Sequence, residues 1–149
     1  MRRLVVLAGC TLALAGCGGG GSSSSTDTTG LPKATLVTAG LQPPDGCYVT
    51  IFIVENATKA QIQQLQDFVV SEKAVSEVAF VSRGLALERF GKKNPKAAKG
   101  MHVNPFSDQF EAVPRTKGAA FAIIEDFATH GGPITNVRPS PACDVSPAG

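Results

Sequence analysis

Between residues 47 and 137, short β-branched runs alternate with helical stripes, and no other feature limits the possible folds so strongly. CYVTIFIV (residues 47–54) is apolar on both faces and rich in β-branched side chains, as a central strand requires. Thr58 and Gln61 then stand at capping-box spacing, and Ile62, Leu65, Phe68 and Val69 share one face of the helix that follows. VSEVAFVS (residues 75–82) reads as a second strand, and RGLALERF as a short helix that Ser82 caps. Residues 91–108, GKKNPKAAKGMHVNPFSD, hold two prolines, two glycines and four lysines and are expected to form a loop. A loop of about eighteen residues inside a compact domain is uncommon and tends to be functional or disordered. QFEAVPR (residues 109–115) is a third strand with Pro114 confined to its end. The next helix turns Ala120, Ile123, Ile124 and Phe127 inward and stops at Gly131, Gly132 and Pro133, before ITNV (residues 134–137) as the last strand.

Strand-helix-strand, an extra helix and loop, then strand-helix-strand again predicts an α+β fold. The expected architecture is a ferredoxin-like split βαβ sheet with an inserted helix-loop lobe between its second and third strands. Some 95 residues, 47–143, suffice for one core and not for two.

The N-terminus places this domain. Arg2 and Arg3 precede an apolar stretch of about a dozen residues ending in small side chains, too short to span a bilayer and flanked like a cleaved secretory signal peptide, expected over residues 1–16. Leu14, Ala15, Gly16 and Cys17 resemble the lipobox of bacterial lipoproteins, which implies that Cys17 is acylated and becomes the first mature residue. A second copy at Leu7 to Cys10 leaves an apolar core of only about six residues, below the usual range. More than one acyl chain would hold the protein stably on an extracytoplasmic membrane surface. Residues 17–46 are then the lipidated cysteine and a Gly/Ser/Pro tether, too poor in apolar side chains to offset its conformational entropy and with a reach on the order of 30 Å. Residues 144–149 are a short tail.

Charge excludes one class of partner. The chain carries fourteen Lys+Arg against twelve Asp+Glu, and removal of Arg2 and Arg3 with the signal leaves the mature protein neutral. Nucleic-acid binding needs a surplus of cations. With Cys10 and Cys17 assigned, Cys47 and Cys143 remain, and an even remainder in an exported chain reads as a disulfide. The alternative, a nucleophilic cysteine, has no histidine nearby in sequence. In the split topology the end of the last strand sits beside the start of the first, where these two residues fall, and a closed loop of nearly 100 residues is worth about 4 to 5 kcal/mol in the chain-entropy model.

VSEVAFVSRGLALERFGKKNP and NPFSDQFEAVPR resemble the extracellular domain of the FtsX family of permease-like cell-division proteins. Ser82, Arg83, Ala86, Leu87 and Phe90 occupy its helix pattern, and Asn104, Pro105 and Phe110 its following turn and strand, with Ser107 where a second proline is common. Each position also has a structural reading: Ala86 and Phe90 share a helix face, and Asn104-Pro105 sets an extended-then-turn backbone. The resemblance spans almost the whole folded part. It implies a non-catalytic protein-interaction module that binds or regulates a peptidoglycan hydrolase or a division component, through apolar residues that correspond here to Leu85, Phe90, Met101, Val103 and Phe106. Packing of Phe90 on Phe106 in a small satellite core is the competing reading of two of these. FtsX proteins are integral membrane proteins with an ATPase partner, whereas no spanning segment is expected here after the signal peptide.

Catalytic patterns are missing. His102 and His130 lie at no metal-ligand spacing, Glu125 and Asp126 are adjacent on a helix and point apart, and the glycine-rich stretches lack a phosphate-binding pattern, so neither enzyme activity nor a cofactor or metal is expected. Lys92, Lys93, Lys96 and Lys99 form the only charge run, a solvated loop or a contact with anionic headgroups or wall polymers. A binding site for a small molecule or wall fragment, between the sheet and the inserted loop, is the alternative function.

Overall fold

A computed structural model describes residues 33–38, 41, 43, 45–143 and 145. The expected signal peptide and the lipid site at Cys17 lie outside the described residues. Among the described residues, five strands and four helices follow in the order β1 (Thr35–Val37), β2 (Val49–Ile53), α1 (Lys59–Ser71), β3 (Val75–Val81), α2 (Arg83–Lys93), α3 (Pro95–Lys99), β4 (Gln109–Pro114), α4 (Ala119–Thr129) and β5 (Ile134–Pro139). The fold is mixed α and β, built on a single sheet of strand order β1-β3-β4-β2-β5.

Strand β2 lies inside the sheet, with a strand on each side. It runs antiparallel to β4, with Ile51 opposite Phe110, and antiparallel to β5, with Ile51 opposite Val137. Val49, Ile51 and Ile53 are fully buried on one face, in a cluster with Leu65 and Val69 of α1 and Ala120, Ile123 and Phe127 of α4. Burying each of the larger side chains contributes about 1.5–3 kcal/mol, so this helix-covered face is the principal core.

The helices begin and end where their sequences dictate. The Thr58 hydroxyl accepts from the Gln61 N–H (3.2 Å) while the Gln61 side chain accepts from the Thr58 N–H (2.9 Å), which completes the capping box of α1. α4 closes at Gly131 and Gly132, whose φ of 71° and 78° lies in the left-handed region that a side chain disfavours. At its end His130 stacks on Phe68 of α1, ring centroids 3.7 Å apart.

Two expectations need correction. Residues 91–108 are not loop throughout: α2 continues to Lys93, and Pro95 opens α3, its fixed φ suited to a first helical position. Residues 17–46 are not tether throughout either. Within them β1 adds a fifth strand, parallel to β3, with Thr35 opposite Glu77 and Val37 opposite Ala79, and Ala34 joins the buried cluster.

Candidate functional site

The second face of the sheet carries the site. Thr50, Phe52, Val81, Gln109 and Glu111 point away from α1 and α4, and α2 lies across them. The Ser82 hydroxyl caps this helix by accepting from the Leu85 N–H (3.2 Å). At the same end the Asp108 carboxylate accepts from the Arg83 N–H (2.7 Å), and the Asp108 carbonyl accepts from the Ile53 N–H (2.9 Å). Asn104 joins this knot: its amide donates to the Arg83 carbonyl (3.0 Å) and accepts from the Phe106 N–H (2.9 Å), an Asx turn that fits the Asn-Pro sequence. The segment after α3 is therefore stitched to the start of α2, and the inserted lobe is a closed unit.

One ion pair pins the lobe to the sheet. A single guanidinium nitrogen of Arg89 reaches both carboxylate oxygens of Glu111, at 3.0 and 3.1 Å. Glu111 is only 8 % exposed, and the Gln109 amide approaches the same oxygen at 3.5 Å. Beyond this pair α2 and the sheet leave a cleft of about 310 Å³ with Tyr48, Thr50, Phe52, Phe90 and Phe106 on its walls. It offers aromatic faces, hydroxyls, the Arg89–Glu111 pair and the exposed Lys93, which suits binding of an amphipathic group. No group of three or more metal-ligating side chains gathers among the described residues, and no helix there is long and apolar enough to cross a membrane.

The residues singled out in the sequence distribute over this lobe unevenly. Phe90 and Phe106 pack on each other with ring centroids 5.4 Å apart, and both stay half-exposed toward the cleft. Leu85 and Met101 are half-buried, while Val103 is 78 % exposed. Lys93, Lys96 and Lys99 are exposed, but Lys92 is engaged by Glu88 one turn earlier (2.7 Å). The Lys92 ammonium, hydrogen-bonded to it, holds the Glu88 carboxyl below the usual carboxylate range. Cys47 and Cys143 form a disulfide with Cα atoms 4.6 Å apart. Ser140 supports it: its hydroxyl donates to the Gly46 carbonyl (2.8 Å) and accepts from the Tyr48 N–H (3.2 Å). Sequence reasoning did not find Arg89, Glu111 or Ser140, whose partners lie 22 to 94 residues away.

Comparison with known proteins bears on the same segment. The family model of the FtsX extracellular domain matches residues 47–136. No curated protein matches the chain. Among solved structures, the crystal structure of extracellular domain 1 of FtsX from Streptococcus pneumoniae, in complex with undecyl-maltoside, is similar at a TM-score of 0.56 and 16 % identity, covering 67 % of this chain and 99 % of that one. A solution structure of the large extracellular loop of FtsX from the same organism gives 0.48 and 16 %, covering 62 % and 98 %. With the family model accounting for ninety consecutive residues, from Cys47 through β2 to β5, this chain belongs to the FtsX extracellular domain family.

Proposed function

We propose that the protein is a non-catalytic, lipid-anchored extracytoplasmic module that binds a peptidoglycan hydrolase or another division component through the start of α2 and the segment after α3 in its inserted lobe. The observation that carries this reading is the family match over residues 47–136 combined with an exposed Val103 beside half-buried Leu85 and Met101, apolar groups at the lobe's surface that a partner would cover. Acylation of Cys17 would hold the domain at the membrane. The ferredoxin-like reading belongs here too: in β2 to β5 the strand order and the three antiparallel pairings support a split βαβ sheet.

In-cell crosslinking with mass spectrometry tests the proposal, comparing the native chain with a Met101→Ser, Val103→Ser variant of unchanged melting temperature. Capture of a wall hydrolase or division protein by the native chain alone is expected. Equal capture by both, or by neither, overturns it. These two positions are chosen because Phe90 and Phe106 support each other, so that replacing either would also disturb the lobe.

A second reading is binding of a small molecule or wall fragment in the cleft. The aromatic walls at Tyr48, Phe52, Phe90 and Phe106 favour it, as does the alkyl glycoside in the pneumococcal domain. A melting shift with wall fragments would support it, and no shift across a broad panel would remove it.

A further inference from the structure

The sheet has two distinct ends. Ala112 of β4 stands opposite both Val49 and Val78, so β2 and β3 run the same way, with Cys47 and Val75 at one end and Ile53 and Val81 at the other. The described chain enters at the first end, where Thr35 pairs with Glu77 and the Ala34 N–H donates to the Val70 carbonyl (3.1 Å). α2 crosses the sheet from the far end, where Arg83 is tied to Asp108, to the entry end, where Phe90, Lys93 and Asn94 line the same cleft as Tyr48. α3 lies beside the last turn of α2; a Cβ on Gly91 would stand 3.5 Å from that of Ala98.

Charge follows the same axis. Exposed Lys33, Lys73, Lys93 and Lys117 stand at the entry end with Arg115, whose N–H donates to the Ala74 carbonyl (2.8 Å) and whose guanidinium donates to the Lys73 carbonyl (2.8 Å). Lys96 and Lys99 on α3 extend this group. Three acids share the end, Asp45, Glu72 and Glu77; the first two each accept a nearby backbone N–H, and the cations outnumber all three. Toward the far end Glu55, Asp108, Glu125 and Asp126 outnumber Lys59 and Arg83. Residues 89–107 hold Arg89 and four lysines and no carboxylate at all.

We infer that the basic end is a docking surface for anionic phospholipid headgroups, which holds the domain with α3 and the last turn of α2 against the membrane. This inference rests on the lipid-anchor reading of Cys17. Fifteen residues separate Cys17 from Lys33. At no more than about 3.3–3.6 Å per residue they confine the entry end to within roughly 55 Å of the anchor. Confinement raises the effective concentration of the surface, so modest attraction per lysine suffices. Because screening at physiological salt acts over about 8 Å, the attraction requires contact, and among the faces the tether lets the domain present, contact is favoured at the end that carries the cations. In this orientation Leu85, near the start of α2, stands at the far end, turned toward a partner in the wall.

Lysine acylation footprinting of the full chain on vesicles tests the inference, with Lys59 at the far end as internal reference. On vesicles containing phosphatidylglycerol, acylation of Lys93, Lys96, Lys99 and Lys117 relative to Lys59 is expected to fall at least about threefold against pure phosphatidylcholine, and to recover in high salt. Equal ratios on both vesicle types, protection of Lys59 as well, or protection only by a soluble polyphosphate would each overturn it. The mass of the Cys17 peptide in the same digest reports acylation separately. If that cysteine is bare, the chain is mixed with excess vesicles and the bound fraction is read by the same criteria, so that failure of the anchor and failure of docking are told apart.

Discussion

Two arginines on the same helix illustrate how burial decides what an ion pair is worth. Arg83 meets Glu55 at 3.2 Å, but the two side chains are 45 % and 81 % exposed, so water and salt screen the pair. Arg89 meets Glu111 at a similar distance with the carboxylate almost enclosed, and there the cost lies in leaving Glu111 without its partner. Arg89→Ala is therefore expected to destabilise by about 1–3 kcal/mol in a denaturant titration, and Arg83→Ala by less than about 1 kcal/mol. If the two variants were equal, the lobe would not be pinned through Arg89. The cleft would also widen, because Arg89 forms part of its wall.

At the scale of elements, what the sequence disclosed and what it concealed divide by length and by distance along the chain. β2, α1 and α4 were legible because burial repeats within each of them: Val49, Ile51 and Ile53 on one strand, Leu65 and Val69 on one helix, Ile123 and Phe127 on another. β1 has three residues, too few for a period, and its partner β3 lies about forty positions on, so nothing local separated it from tether. α3 has five residues and no buried side chain, and Asn94-Pro95 was its one local signal. The Phe90–Phe106 contact was readable as one of two alternatives, whereas the Arg89–Glu111 pair spans the whole insertion and has no local signature. Deleting residues 33–38 would unpair one edge of β3 and expose the ground that Ala34 covers. The variant should lose about 1–3 kcal/mol and self-associate in sedimentation as concentration rises, since a bare edge is a template for another strand. Unchanged stability and a monomer at all concentrations would mean that β1 merely rests on the sheet.

For the whole molecule, the disulfide joins Cys47, two residues before β2, to Cys143, four residues after β5, so the start of β2 and the end of β5 are fastened where the chain enters and the cations gather. Its bridge spans 96 residues of sequence, long enough that restricting the unfolded chain dominates its effect. The folded side has its own fastening: Ser140 bonds to Gly46 and Tyr48, and β5 pairs with β2 along its length. Removing the bridge should therefore lower stability without displacing β5. Cys47→Ala with Cys143→Ala is expected to cost about 2–5 kcal/mol and lower Tm by more than about 10 °C, while amide-exchange protection in β5 keeps its pattern relative to the rest of the sheet. Selective loss of protection in β5 would instead show that the bridge holds the native strand in place. In that case Ser140→Ala added to the double variant should cost almost nothing further, because its contacts would already be gone. If β5 remains docked, Ser140→Ala should cost about 1 kcal/mol on either background, as an independent hydrogen-bonding group would.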